Sequence, residues 1–175
     1  MRDGGSRPAL TTRQRGAVVA MVILSSAACD QVTKHYARQS LVHAGRISLA
    51  YDTVRIEYAE NQGAFLGLGA SLSPPVRRIL FTAGVAVIAL LAALAAVWGS
   101  GRSRSEIVAL ALVAGGGFGN LWDRVIHGGT VVDFLNLGIG PLRTGIFNVA
   151  DLSLVAGVVL LVAGARPAVA APPNR

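Results

Sequence analysis

The chain has 175 residues, 53% of them hydrophobic and only 14% charged. Soluble domains carry about 25% charged residues, so the composition points to a membrane protein. The net charge of +7 does not indicate nucleic acid, because the arginines flank long apolar runs and form no basic stripe interleaved with aromatics.

A single cysteine, Cys29, excludes a disulfide framework and a cysteine-based metal site. His35, His43 and His127 are scattered without ligand spacing.

Residues 1–15 carry Arg2, Arg7, Arg13 and Arg15 and read as a disordered cytoplasmic tail. The apolar run 16–29 is short for a span, which needs about 20 residues, so a first helix is predicted over about 16–38. Four arginines, a short apolar core and Ser-Ala-Ala before Cys29 imitate a lipoprotein signal peptide. Ser26 stands where leucine is usual, and further apolar spans follow, so the first span is expected to remain uncleaved. Asp30 and Lys34 then share a helix face. Their spacing fits an interfacial ion pair and equally a grip on a substrate headgroup or backbone.

Residues 45–60 change period. Val54, Ile56 and Tyr58 alternate with Arg55 and Glu57, and Ile47, Leu49 and Tyr51 alternate similarly. This predicts a small antiparallel pair outside the membrane. In 61–69, glycines at 63, 67 and 69 suit a flexible loop. Phe65, Leu66 and Leu68 in it either dip into lipid, cover a site or simply pack. Residues 79–98 are free of charge and form the clearest transmembrane helix, followed by a basic turn with Arg102 and Arg104. A third span is predicted over 106–122, where Gly115, Gly116, Gly117 and Gly119 allow close backbone approach. Residues 123–145 read as a polar, glycine-rich excursion, 146–165 as the fourth span and 166–175 as a cytoplasmic tail. The whole of 16–165 is thus one membrane-embedded domain, an all-α bundle of four transmembrane helices with a small β-sheet between the first two.

Four spans place both termini on one side. Lysines and arginines divide evenly between the two sides, and the four N-terminal arginines beside the first span assign the termini to the cytoplasm. Asp30, Asn61, Asp123, Asp133 and Asp151 then lie towards the extracytoplasmic side.

Carboxylates near hydrocarbon are costly and mark function. Two held close together cannot both ionise easily, so one keeps its proton and the pair can activate water as base and acid without a metal or cofactor. A proton relay in a small transporter and a structural polar network are the competing readings. Spacing does not choose among them, nor which two of Asp123, Asp133 and Asp151 pair. The absence of acids from 79–98 and after Asp151 favours a surface-accessible site over a path through the membrane. Asn120, Asp123 and Arg124 fall at i, i+3 and i+4, and Asn148 precedes Asp151 by three, so each set shares a helix face. There is no HExxH or GxSxG motif, and His127 beside two glycines reads as a loop residue.

DQVTK (30–34), NQGAF (61–65), GGGFGNLWDR (115–124), GTVVDF (129–134) and FNVAD (147–151), in this order, resemble the lipoprotein signal peptidase family, signal peptidase II. The resemblance covers roughly 16–165. It implies a monomeric aspartic endopeptidase of the bacterial inner membrane, without cofactor. Its partners would be membrane lipid and diacylglyceryl-modified prolipoproteins, cut just before the lipidated cysteine. It also implies a four-helix bundle with an extracytoplasmic β-platform, which looks like 45–60. The catalytic dyad falls by resemblance on Asp133 and Asp151, with Asp30, Lys34, Asn61, Gly63, Asn120, Asp123, Arg124 and Asn148 in supporting or substrate-binding positions. Two departures stand out. The family more often reads NxGAAF, one alanine more than Asn61–Phe65, which bears on the role of Phe65. The segment from Asp123 to Asp133 is one residue longer than usual, an insertion that Gly128 and Gly129 can absorb.

Overall fold

A computed structural model describes residues 10–63 and 72–164. The expectations for Phe65, Leu66 and Leu68 and for the C-terminal tail lie outside these residues.

Helix α1 runs from Thr12 to Ala44. Residues 12–15, expected in a disordered tail, are helical because Thr11 and Gln14 close a capping box: Thr11 Oγ1 accepts from the Gln14 N–H, and Gln14 Oε1 accepts from the Thr11 N–H. At 1.5 Å per residue its 33 residues span about 50 Å, well beyond the roughly 30 Å hydrocarbon layer. The surplus serves as a support: Ala37 and Leu41 pack with Phe134 under the sheet. Gly45, at φ 72°, ends the helix, its N–H returning to the Leu41 carbonyl.

The sheet is larger than the sequence suggested. Strands β1 (Ile47–Leu49) and β2 (Val54–Asn61) fill the predicted 45–60 segment. The polar excursion 123–145 holds two further strands, β3 (Val131–Ile139) and β4 (Leu142–Arg143). All four pair antiparallel in chain order. Two strands therefore lie between the third and fourth helices rather than between the first two. The β2–β3 register places Ala59 opposite Asp133 and Asn61 opposite Val131, beyond an irregularity between Ile56 and Ala59.

Helix α2 (Pro74–Trp98) opens on two prolines, whose fixed φ suits the first turn. Helix α3 (Arg104–Ile126) starts from a Ser103/Glu106 capping box. It runs past residue 122, so Asp123 and Arg124 are helical. Helix α4 spans Val149–Gly164 and starts three residues later than predicted. Helices α1, α2 and α3 are long and apolar enough to cross a membrane, whereas α4 is apolar but has 16 residues.

Helix α3 is the central post. A Cβ on Gly115 would stand 2.8 Å from Ser26 Cβ of α1, one on Gly117 2.8 Å from Ala89 Cβ of α2, and one on Gly116 against the Ala150 carbonyl of α4. Small residues on α3 thus bring three backbones close. The interior is built of alanines such as Ala89, Ala96, Ala109 and Ala114, while Ile79, Val87, Ile88, Leu91, Val158 and Val162 face outward. That inversion of the soluble pattern suits helices whose surroundings are lipid tails.

Candidate active site

The site lies where the start of α4, the C-terminal part of α3 and the β2–β3 ladder meet. Asn148 stands just before α4 and closes its first turn reciprocally with Asp151. Its side-chain Oδ1 accepts from the Asp151 N–H at 3.0 Å, and Asp151 Oδ2 accepts from the Asn148 N–H at 3.1 Å. This is a capping box with aspartate in the third position, and it sets the Asp151 carboxylate at the positive end of the helix dipole.

Asp133 reaches the same asparagine from β3. The Asn148 side-chain amide donates to Asp133 Oδ1 at 2.6 Å, and Asn61 on β2 donates to Asp133 Oδ2 at 2.9 Å. Asn120 on α3 donates to Asp151 Oδ1 at 2.8 Å and accepts from Asn148 at 3.0 Å. One fully buried asparagine therefore bonds both carboxylates. The two acids differ in setting: Asp133 is 2% exposed, whereas Asp151 is half-buried. Burial pushes the Asp133 carboxyl up to about 6, and the nearby Asp151 charge pushes the same way. The amides of Asn61 and Asn148 and the Lys34 charge act in the opposite sense.

Behind the asparagines lies a second, fully buried polar cluster. Lys34 Nζ stands 2.8 Å from Asp30 and 3.1 Å from Asp123, and it donates to Asn120 Oδ1 at 3.0 Å. Asp30 Oδ1 also accepts from the Ala150 N–H, and Asp123 Oδ2 accepts from the Val132 N–H. Each acid thus fixes the backbone beside one site carboxylate, Asp30 next to Asp151 and Asp123 next to Asp133. The ion pair is buried rather than interfacial. Both oxygens of Asp123 are taken up, since Gln31 Nε2 donates to Oδ1 at 3.1 Å. Gln31, which bonds Asp30, Asp123 and the Gly119 carbonyl, was not singled out in the sequence. Its sign there is its place in the DQVTK motif, between Asp30 and Lys34.

Arg124 Nη2 donates to the Gly63 carbonyl at 3.1 Å, and Nη1 to the Asn120 carbonyl at 3.3 Å. Its Nε is buried with no partner among the described residues. Asn120, Arg124 and Asp151 form the polar end of a cavity of about 240 Å³, whose remaining wall is apolar and includes Phe81, Val85, Ile88 and Leu154. A lateral apolar chain would meet the half-buried Asp151 there. Among the described residues no group of acids, histidines and cysteines is arranged to hold a metal ion.

Paired carboxylates cross-linked by buried asparagines, at one end of an apolar helical bundle, have the parts of an acid–base site worked by two carboxyl groups. Comparison with known proteins gives the class a family. Residues 22–165 match the family described as Signal peptidase (SPase) II. The lipoprotein signal peptidase of Sphingopyxis alaskensis is 42% identical over 140 residues, 78% of each chain. That of Chlorobium phaeobacteroides is 36% identical, covering 76% of this chain and 80% of its own. A solved structure described as a bacterial membrane enzyme superposes with a TM-score of 0.73 at 26% identity, over 84% of this chain and 86% of that one. The chain belongs to the signal peptidase II family.

Proposed function

We propose that this signal peptidase II removes the signal peptide of diacylglyceryl-modified prolipoproteins with Asp133 and Asp151 as its catalytic dyad. The observation that carries the reading is Asn148, which holds both carboxyl groups while burial pushes the Asp133 carboxyl up to about 6. Asp133 then keeps the proton, and Asp151, at the helix N-terminus, carries the charge.

The substrate carbonyl before the lipidated cysteine sits between the two groups. Asp151 takes a proton from water as the water oxygen bonds to the carbonyl carbon, and Asp133 gives its proton to the carbonyl oxygen. The tetrahedral intermediate then collapses. The C–N bond breaks, Asp151 passes its proton to the leaving amine, and Asp133 recovers its own. Asn61, Asn120 and Asn148 fix the carboxyl groups. Arg124 holds the Gly63 backbone at the rim of the apolar cavity, where signal peptide or acyl chain enters from the bilayer. The Lys34 cluster keeps the two backbones that carry the dyad in register.

In this reading α4 is the fourth span. It runs antiparallel along α3, with Gly116 against Ala150 and Leu154 and Gly157 against Ala109, so it crosses the same layer despite its length. Both termini are cytoplasmic, the sheet and the dyad face outward, and the enzyme acts as a monomer.

Reconstituted enzyme given a diacylglyceryl-modified prolipoprotein should release a peptide ending just before the modified cysteine. An unmodified cysteine-to-serine substrate should stay intact. Absence of cleavage, or proton flux through enzyme-bearing liposomes in its place, would favour the transporter reading of the same acids.

A further inference from the structure

A second cavity, of about 610 Å³, opens beside the site at the start of α2. Its wall includes Gln62, Arg77, Arg78, Ile79, Gly129 and Thr130, and no carboxylate lines it among the described residues. Arg77 donates to Gln62 Oε1 at 2.8 Å. Arg78 makes no hydrogen bond or ion pair among the described residues, and its side-chain stem lies against Gly129, where a Cβ would come within 3.1 Å of it. Two adjacent arginines thus line one concavity with no compensating charge among the described residues. They immediately precede the uncharged stretch of α2, where Ile79 is 67% and Leu80 52% exposed. Lipid packed on that apolar face would bring its headgroup to the depth of the cavity.

We infer that this cavity binds the phosphate-bearing headgroup of an anionic phospholipid, with Arg77 and Arg78 on the phosphate and Thr130 Oγ1 as a further donor. Guanidinium forks match phosphate oxygens in pairs, and neighbouring apolar surface gives a lipid, unlike a free anion, a second point of attachment. Gln62 lies between Asn61, which bonds Asp133, and Gly63, which accepts from Arg124, so an occupied cavity buttresses that segment through Arg77. The inference uses α2 as a membrane span and is independent of the dyad.

The test is lipid retention by the full-length enzyme in nanodiscs of phosphatidylcholine doped with phosphatidylglycerol, read by native mass spectrometry. Wild-type enzyme should retain phosphatidylglycerol preferentially. Arg78→Gln should weaken that preference about five-fold, and the Arg77→Gln/Arg78→Gln pair further. Arg46→Gln, which removes an equal charge from the same end of the bundle, should leave it intact. Arg78 has no partner to lose among the described residues, so its variant reports on the site even where the double variant folds poorly. An unchanged preference in Arg78→Gln, or an equal loss in Arg46→Gln, overturns the inference. Loss of retained lipid on adding millimolar inorganic phosphate overturns the lipid assignment in favour of a free anion. Prolipoprotein cleavage in phosphatidylcholine alone, measured in parallel, reports separately on the dyad.

Discussion

Asn148 and Asp151 hydrogen-bond one another twice, each side chain accepting from the other's backbone N–H, at 3.0 and 3.1 Å. The pair caps α4 and aims a carboxylate at once. Because the same asparagine donates its amide to Asp133, cap and chemistry can be separated by substitution. Asn148→Ser keeps a capping oxygen but loses the amide, so thermal stability should fall little while kcat drops about 10²-fold. Asn148→Ala should lose the cap as well, at a cost of about 1 kcal/mol or more of stability. Equal kcat for Asn148→Ser and wild type would detach Asn148 from the dyad.

Asp133 should titrate near 6 in the free enzyme, as followed by carboxyl-carbon NMR. Burial is the main cause, and the Asp151 charge adds to it, so Asp151→Asn should lower the value. Asn61→Ala should raise it, because an amide that stabilises the anion is lost. A carboxyl whose folded value lies above its unfolded 3.8 contributes stability that is fully present below about pH 4. That contribution is lost as pH rises through about 6. Proton-dependent activity should fade over the upper part of that window in the free enzyme, with substrate burial moving the limb upward.

The glycines of α3 should rank by what a methyl group would meet. Gly119→Ala places a Cβ 2.9 Å from Asp30 Oδ2 and 3.2 Å from Ala150 Cβ, and should cost about 1–3 kcal/mol, with a lower Tm in detergent. Gly84→Ala on α2 meets nothing within 4 Å and should be neutral or stabilising, by up to about 1 kcal/mol. A Gly119→Ala enzyme as stable as wild type would contradict the close packing of α1, α3 and α4.

Lys34→Met should be among the most damaging single changes outside the dyad itself. It leaves Asp30 buried without a cation and Asp123 with only the half-buried Arg38, at 3.6 Å, a situation that costs about 3–5 kcal/mol. Asp30→Asn, which leaves Lys34 paired with Asp123, should be milder. The ranking of folded yield and Tm in the two variants checks this.

Hydropathy marks α2 because its 79–98 stretch is a plain run of uncharged residues, and alternation marks β2 because one face of Val54–Tyr58 is more apolar than the other. Strand β3 carries no such mark for a physical reason: Val131, Val132, Asp133 and Phe134 are all buried, so the first half of the strand has no solvent face and the period of two vanishes there. The early start of α1 was written in Thr11 and Gln14, but the arginines around them suggested a tail. Motif resemblance singled out Asp133 and Asp151, whereas spacing left Asp123 equal to them. What distinguishes Asp123 is three-dimensional, since Lys34, Gln31 and the Val132 N–H occupy its oxygens. The second role of Asn148, as a cap that also bonds Asp133, depends on a β3–α4 approach that no local pattern encodes.

The central claim is that Asp133 and Asp151 act together on one water. Its most direct measurement is the rate of prolipoprotein cleavage by Asp133→Asn and by Asp151→Asn, each reconstituted at wild-type folded yield. Both variants should lose about 10²- to 10⁴-fold or more in kcat. A wild-type rate in either one would contradict the dyad.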